Sequence, residues 1–239
     1  MQLAGKTALV TGGSDGIGLA LARELKAVGT SVIVVGRNAE RLASAAAEGF
    51  EAIEADLAAE AGCAALLHAL GDRTIDILIN NAGMGSDFDV NAAIDLAATD
   101  RCIFLNLNAP IRLIVGLLDR LKARPAAMIV NVTSGLAIAP NAGAPVYCAT
   151  KAGLRSFTMA LRAQLKGTSV HVLEVLPPVV ETRMTAGNNH KKLPATECAR
   201  QMVAAMAAGR DEANIGLTRW LRVAYSVSPA LAGRIMLNY

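Results

Sequence analysis

Tyr147 and Lys151 are four residues apart in the segment VYCATKAGL, and Ser134 precedes the tyrosine by thirteen residues. On a helix, side chains four apart share one face, so this spacing predicts that the phenol and the ammonium lie about one turn apart. A protonated lysine there would favour the phenolate and lower the tyrosine pKa from its usual value of about 10. A tyrosine tuned in this way acts as general acid or base at a carbonyl or an alcohol, and a serine hydroxyl at the end of a strand would hold the substrate oxygen.

A glycine-rich turn, TGGSDGIG, follows the first β-branched run and opens a helical pattern. Gly12, Gly16 and Gly18 allow the backbone to turn tightly and to approach a pyrophosphate, which the free N–H groups of the helix N-terminus stabilise. The turn therefore predicts a dinucleotide site. A simple tight turn is the alternative that a glycine triplet leaves open when it is taken alone.

The residues after the second strand bear on which dinucleotide is bound. Gly36 occupies the position where an acid would bind the ribose 2′-hydroxyl of NAD, and Arg37 follows it, where a guanidinium could bind a 2′-phosphate. This pattern favours NADP(H). NAD(H) stays open, because Asp15 in the glycine turn would repel that phosphate and because Arg37 could instead be a solvated residue at the end of the strand.

An apolar segment, CIFLNLNAPIRLIVGLL at residues 102–118, has helical spacing but contains Pro110. Proline lacks the N–H that would donate to the carbonyl of Asn106, so we predict a distorted helix in which that carbonyl is free and turned inward. The distortion is either a part of the active site or a packing kink.

These residues are carried by an alternation of strands and helices. We predict strands at 7–11, 31–36, 50–55, 75–80, 127–133 and 169–176, and helices at 17–28, 39–48, 60–70, 91–121 and 147–166. The alternation predicts an α/β fold, a Rossmann-type doubly wound parallel sheet of about seven strands with helices on both faces, in one domain over residues 1–239. Ligands of such sheets bind at the carboxyl edge of the strands. The long polar stretch at about 179–194 is predicted to be a substrate lid, and about 217–239 an amphipathic tail.

Composition narrows the classes of partner. The chain has 239 residues, of which 53% are hydrophobic and 18% charged, and a net charge of +3 without a block of like charges, so we expect neither disorder nor a nucleic-acid partner. The four cysteines and three histidines are scattered, which argues against a metal site. The first strand begins close to the first residue, and no uncharged apolar run is long enough to span a bilayer. We therefore expect a cytoplasmic protein with no membrane partner.

Several segments, in order and at matching spacing, resemble those of the short-chain dehydrogenase/reductase family, in its single-domain form. They are TGGSDGIG, ADL at 55–57, NNAG at 80–83, NLNAP at 106–110, VTSG at 132–135, YCATK at 147–151 and PPVVET at 177–182. The resemblance implies that Asn106, Ser134, Tyr147 and Lys151 form a catalytic tetrad. In that family the matching asparagine holds a water beside the lysine, in a relay that returns protons to the tyrosine.

The resemblance also implies a cofactor-binding set that runs from the adenine to the nicotinamide. The set comprises Gly12, Ser14, Gly16, Ile17, Gly18, Arg37, Asn38, Asp56, Leu57, Asn81, Ala82, Gly83, Tyr147, Lys151, Pro177, Val180 and Thr182. Within it, Asp56 and Leu57 would hold the adenine, and Lys151 would also bind the nicotinamide ribose. One departure is Pro178, which replaces the glycine usual after the sixth strand. Together with the segment GRNAERL it is similar to a subgroup of small bacterial oxidoreductases sometimes called DltE-like, whose substrates are poorly defined.

We therefore expect an NADP(H)-dependent oxidoreductase that moves a hydride between the nicotinamide and a carbonyl or secondary alcohol, with Tyr147 as general acid and base. The alternative is a regulatory protein that binds NADP(H) without turnover. Small and apolar residues around the predicted pocket favour an uncharged or partly apolar substrate, although His190, Lys191 and Lys192 could meet an anionic group. For the tail we expect packing against the domain or a second subunit rather than a membrane surface, and hence a homodimer or homotetramer.

Overall fold

A computed structural model describes residues 1–187 and 191–238, and His190 lies outside them. Seven parallel strands form one sheet in the order β3-β2-β1-β4-β5-β6-β7. They are β1 (Thr7–Thr11), β2 (Ser31–Gly36), β3 (Glu51–Glu54), β4 (Ile77–Asn80), β5 (Ala127–Val132), β6 (Val170–Leu176) and β7 (Glu212–Asn214). The strand order reverses between β1 and β4, and the loops after these strands therefore diverge and leave a crevice at the carboxyl edge. The predicted doubly wound parallel sheet is confirmed.

Nine helices of eight or more residues lie within the described residues. They are α1 (Gly16–Ala27), α2 (Ala39–Ala47), α3 (Glu60–Leu70), α4 (Leu96–Ile103), α5 (Ala109–Lys122), α6 (Pro145–Gln164), α7 (Ala195–Ala207), α8 (Thr218–Val227) and α9 (Pro229–Leu237). The five predicted helices are present, the fourth of them as α4 and α5 together. The seventh strand was not located from the sequence, because its three residues, EAN, show no apolar alternation; pairing with β6 makes them a strand.

The helices cover the sheet on both faces. Leu9 and Val10 are neighbours on β1, yet they belong to separate apolar cores, because successive side chains of a strand point to opposite faces. Val10 packs in the core that contains α1 and α7, and Leu9 in the core that contains α3 and α5. The central strands are accordingly apolar throughout, as expected for parallel strands that are buried on both sides.

The distortion predicted at Pro110 is a π-helical turn. Residues Phe104–Asn108 form this turn between α4 and α5, and the N–H of Ala109 donates to the carbonyl of Phe104, five residues back. Pro110 follows in the first turn of α5 and has no N–H to offer to Leu105 or Asn106. Single π-turns of this kind occur often at functional sites.

The helical segment that contains this turn, Leu96–Lys122, is long and apolar enough to span a membrane by length and composition alone. Its second half, α5, packs on the sheet, where Leu113, Ile114, Leu117 and Leu121 are fully buried. Core helices of this kind meet the same length and composition test, so the segment by itself does not indicate a membrane span.

Candidate active site

Ser134, Tyr147 and Lys151 line one cleft of about 800 Å³ at the carboxyl edge of the sheet. Ser134 follows the end of β5, while Tyr147 and Lys151 are on the first two turns of α6. The ammonium of Lys151 lies 5.7 Å from the centre of the Tyr147 ring and donates a hydrogen bond of 2.9 Å to the carbonyl of Val132. The structure thus brings together the three side chains that the sequence spacing selected.

The electrostatics of this trio differ from the sequence-based prediction. Burial raises the pKa of Tyr147 to about 12, and the interaction with the Ser134 hydroxyl acts in the opposite direction. Burial also lowers the pKa of Lys151 to about 8. The direction is the opposite of the expected lowering, because withdrawal from water raises the pKa of Tyr147 more than the Ser134 hydroxyl lowers it. At neutral pH both groups carry their protons.

Asn106 lies behind the cleft and is fully buried in the π-helical turn. Its side chain accepts a hydrogen bond of 2.9 Å from the N–H of Met84 and donates one of 2.8 Å to the carbonyl of the same residue. A methyl group placed on Gly83 would lie 3.2 Å from the Asn106 amide oxygen and 3.4 Å from the Lys151 ammonium. Asn106 and Lys151 therefore meet at the backbone of Gly83, although Asn106 does not itself line the cleft.

The glycine turn has the form that a pyrophosphate requires. Gly12 and Gly16 have positive φ angles of 65° and 50°, which L-residues with side chains rarely adopt. A side chain on Gly18 would lie 2.1 Å from the carbonyl of Gly12, so this glycine permits the close packing of α1 and does not line the cleft. Asp15 begins α1, and its carboxylate accepts from the N–H of Gly16 at 2.9 Å.

The segment NNAG is fixed to the end of β1. The Thr11 hydroxyl accepts hydrogen bonds of 3.0 Å from the N–H groups of both Asn81 and Ala82. The Asn81 side-chain amide donates to the carbonyl of Thr11 at 2.9 Å. These bonds hold the loop after β4 against the end of β1 and the glycine turn, and Asn81, Ala82 and Gly83 of this loop line the cleft.

At the predicted adenine end, Arg37 and Arg41 line the cleft beside Gly36. A side chain at Gly36 would approach the Ser14 hydroxyl to 2.5 Å, so the space for an acid is taken. The Nε of Arg41 is buried without a hydrogen-bond partner among the described residues, which is the state of a donor that fits an incoming anion. Two guanidinium groups therefore lie at this end of the cleft.

Asp15, whose negative charge argued against a bound 2′-phosphate in the sequence analysis, forms ion pairs with two arginines in the structure. Its carboxylate lies 3.7 Å from the Arg41 guanidinium and 3.5 Å from that of Arg183, which comes from the loop after β6. Asp56 has a similar partner: Arg101 of α4 approaches it at 2.9 Å and lowers the pKa of its carboxyl. Two arginines thus offset the single charge of Asp15 at the mouth of the cleft.

Most of the predicted cofactor-binding residues line the cleft, and two do not. Those that do are Gly12, Ser14, Gly16, Ile17, Arg37, Asp56, Leu57, Asn81, Ala82, Gly83, Tyr147, Lys151, Pro177, Val180 and Thr182. Gly18 packs α1 as described above. The Asn38 side chain caps α2 by accepting from the N–H of Arg41 at 2.9 Å, so its role in the described structure is local.

The loop after β6 and the tail also line the cleft, mostly with residues outside the quoted motifs. The loop after β6 is closed at its base by a bridge between Val180 and Leu193, and its residue Met184 lines the cleft together with Pro178. The tail contributes Leu217, Thr218, Leu221 and Met236 to the same wall. In the sequence, only the amphipathic pattern of the tail indicates that one of its faces packs against the domain. The pattern does not indicate that this face lines the cleft.

The tail forms the helices α8 and α9. Its outward face leaves Trp220, Val223 and Val227 of α8 and Leu231 and Ile235 of α9 exposed.

A metal site does not appear in the residues that the structure describes, where no group of three or more histidine, cysteine, aspartate or glutamate side chains comes together.

The class of protein that these features define is the nicotinamide-dependent oxidoreductases. The features are the parallel doubly wound sheet, the glycine turn before α1, and the serine, tyrosine and lysine at the carboxyl edge. Residues 6–193 match the family model described as short chain dehydrogenase. A relative from Bacillus subtilis (strain 168), described as uncharacterized oxidoreductase DltE, is 41% identical over 197 residues, which are 80% of this chain and 78% of the relative.

Two solved structures are similar over nearly the whole chain. A short chain dehydrogenase from Burkholderia cenocepacia J2315 in complex with NADP has a TM-score of 0.88 and 26% identity, with 100% of each chain covered. A short-chain dehydrogenase from Sphingobium yanoikuyae in complex with NADPH has a TM-score of 0.82 and 28% identity, with 95% of each chain covered. The chain belongs to the short-chain dehydrogenase family and is an oxidoreductase that uses a nicotinamide cofactor.

Proposed function

We propose that this protein is an NADP(H)-dependent carbonyl reductase or alcohol dehydrogenase in which Tyr147 is the general acid and base. The observation that carries the proposal is the common cleft of Ser134, Tyr147 and Lys151, with the lysine fixed on the carbonyl of Val132. When bound, the nicotinamide supplies or accepts the hydride at its C4. The regulatory alternative is less well supported, because all four tetrad positions carry the side chains that turnover requires.

The proton is handled by Tyr147. In the reductive direction the phenol donates its proton to the substrate oxygen, while the Ser134 hydroxyl binds that oxygen as negative charge develops. The raised pKa of Tyr147, about 12, keeps this proton in place at neutral pH. The Lys151 ammonium then stabilises the phenolate that remains.

The return of the proton to Tyr147 is assigned to Lys151 and Asn106. Both groups approach Gly83, and Pro110 cannot donate to the carbonyl of Asn106 in the α-helical register or to that of Leu105 in the π-helical register. In this proposal the carbonyl of Asn106, to which Pro110 cannot donate, holds a water beside the lysine. The route from solvent to tyrosine then passes along Asn106 and Lys151.

The preference for NADP(H) rests on the adenine end of the cleft. Arg37 and Arg41 offer two guanidinium groups for a 2′-phosphate, and Gly36 offers no carboxylate that would prefer a 2′-hydroxyl. The carboxylate of Asp15 forms ion pairs with Arg41 and Arg183, and these two positive charges offset its repulsion of a bound 2′-phosphate.

The substrate that we propose is an uncharged carbonyl compound with an apolar portion. Apolar side chains line the cleft from three segments: Leu136 after β5, Val179 and Met184 of the loop after β6, and Leu217, Leu221 and Met236 of the tail. Incubation with NADPH and a panel of ketones, aldehydes and diketones, followed by the loss of NADPH absorbance, tests the proposal. Turnover of apolar ketones by the wild-type protein supports it, and tight NADPH binding with no turnover across the panel would instead favour the regulatory alternative.

A further inference from the structure

A buried carboxylate on β6, that of Glu174, contacts both the residue before Ser134 and the helix α6. Glu174 of β6 has no exposed surface, and its Oε2 accepts a hydrogen bond of 2.6 Å from Arg155. Its Oε1 accepts one of 2.8 Å from the hydroxyl of Thr133. Arg155 follows Lys151 by one turn of α6, and Thr133 directly precedes Ser134. One side chain therefore contacts the strand end that carries the serine and the helix that carries the tyrosine and the lysine.

We propose that Glu174 is a positioning residue, which fixes the distance between Ser134 on one side and Tyr147 and Lys151 on the other. The proposal rests on the function proposed above. Two backbone bonds also hold this strand end: the N–H of Thr133 donates to the carbonyl of Val175 at 2.8 Å, and that of Gly135 donates to the carbonyl of Pro177 at 3.0 Å. The Thr133 hydroxyl also lies 3.2 Å from the Val175 carbonyl. Glu174 adds the connection from this strand end to α6.

A role in stability alone does not account for this pair. Buried ion pairs contribute little net stability, and well-packed apolar residues of similar volume often serve as well or better. The geometry of the pair is specific, because each carboxylate oxygen of Glu174 has its own donor from a different element. Catalysis depends on the exact placement of the reacting groups, and a misplacement of about 1 Å can cost about 100-fold in rate.

The same ionic chain continues to the substrate side of the cleft. Arg155 also donates to Glu212 of β7 at 2.9 Å, and Glu212 accepts a bond of 3.3 Å from Arg222 of α8. Helix α8 places Thr218 and Leu221 in the cleft wall. We therefore expect different effects at the two ends: loss of the Thr133 contact lowers kcat, whereas Arg222→Ala raises KM for the carbonyl substrate.

The test compares two substitutions at Thr133 with a matched control. Thr133→Val removes the hydroxyl but keeps the shape and leaves the pair of Arg155 and Glu174 intact, whereas Thr133→Ser keeps the hydroxyl. The control is Thr30→Val, which removes a buried hydroxyl bonded at 3.0 Å to the carbonyl of Leu3, before β2 and away from the cleft. We expect Thr133→Val to lower kcat about tenfold with KM changed less than about twofold, and Thr133→Ser to restore it.

A second readout does not depend on turnover. Amide hydrogen exchange of residues 134–138 should be faster in Thr133→Val than in the wild type, and unchanged in Thr30→Val. Equal kcat values for Thr133→Val and Thr30→Val, or unchanged exchange at 134–138, would overturn the positioning role. If the wild-type protein itself reduces no carbonyl compound, the proposed function fails, while the exchange measurement still decides whether Glu174 fixes this strand end.

Discussion

The Lys151 ammonium donates a hydrogen bond of 2.9 Å to the carbonyl of Val132, the last residue of β5. This bond ties the catalytic helix α6 to the strand that ends two residues before Ser134. It also gives a buried cation one fixed partner, while burial lowers the pKa of Lys151 to about 8. A lysine held in this way titrates in a range where kinetic measurements can follow it.

The first prediction concerns the pH dependence of ketone reduction. Lys151 carries its charge below a pH of about 8 and loses it above, so stabilisation of the Tyr147 phenolate is present at lower pH and is lost as the pH rises. We expect kcat for reduction to be level between about pH 6 and 7 and to fall above about 8. In Lys151→Arg the guanidinium stays charged, so the fall should move to higher pH even though the rate is lower. A profile of the same shape in both proteins would exclude Lys151 as the titrating group.

The second prediction concerns the phosphate at the adenine end. Arg37→Ala and Arg41→Ala should each weaken NADPH binding about 10- to 100-fold, the effect of losing a charge-assisted hydrogen bond, and should change NADH binding less than about threefold. Fluorescence titration of the two cofactors measures both. Arg73→Ala is the matched control, because Arg73 pairs with Glu51 and does not line the cleft. Equal losses for NADPH and NADH would contradict the assignment of these arginines to the 2′-phosphate.

The third prediction concerns the π-helical turn. Pro110→Ala restores an N–H that can donate to the carbonyl of Asn106, and it should slow turnover about two- to fivefold if that carbonyl holds the relay water. The free energy of unfolding should change by less than about 1 kcal/mol, because the proline is in the first turn of α5. Steady-state rates and denaturant unfolding test both parts. A variant with a regular helix at 104–110 and full activity would show that the relay does not use this carbonyl.

The fourth prediction separates the role of Asn106 from its packing. Asn106→Leu should abolish most turnover, but it also leaves the N–H of Met84 without its partner, at a cost of about 1–3 kcal/mol, and leaves the Met84 carbonyl with only the Cys102 thiol as donor. We therefore expect a lower melting temperature along with the lower rate. If the stability falls and the rate does not, Asn106 is a structural residue and takes no part in the proton route.

Part of the site could be predicted from local spacing, and part could not. The positions of Tyr147 and Lys151 on one helix follow from their separation of four, and the glycine turn follows from its place between strand and helix. The pairing of Asp15 with Arg183 joins residues far apart in the chain, so only the fold brings them together. Asn38 satisfies an N–H of its own helix, which is a local bond that a motif match does not distinguish from cofactor binding.

The buried contacts of Glu174 with Thr133 and Arg155 could not be predicted from the sequence either. In VHVLEVL an acid within an apolar strand gives no sign of its partner, and Arg155 reads as one more polar residue of an amphipathic helix. The direction of the Tyr147 pKa was predicted wrongly for a related reason. Spacing identifies a neighbouring charge, whereas the extent of burial, which dominates here, depends on all the elements around the cleft.

Transfer of the proton between Tyr147 and the substrate oxygen can be measured with Tyr147→Phe, and Tyr225→Phe on α8 is the control. For a ketone that the wild type reduces, we predict that Tyr147→Phe lowers kcat at least about 100-fold while NADPH affinity changes less than about threefold, and that Tyr225→Phe retains full activity. A Tyr147→Phe variant that reduces the ketone at the wild-type rate would contradict this prediction.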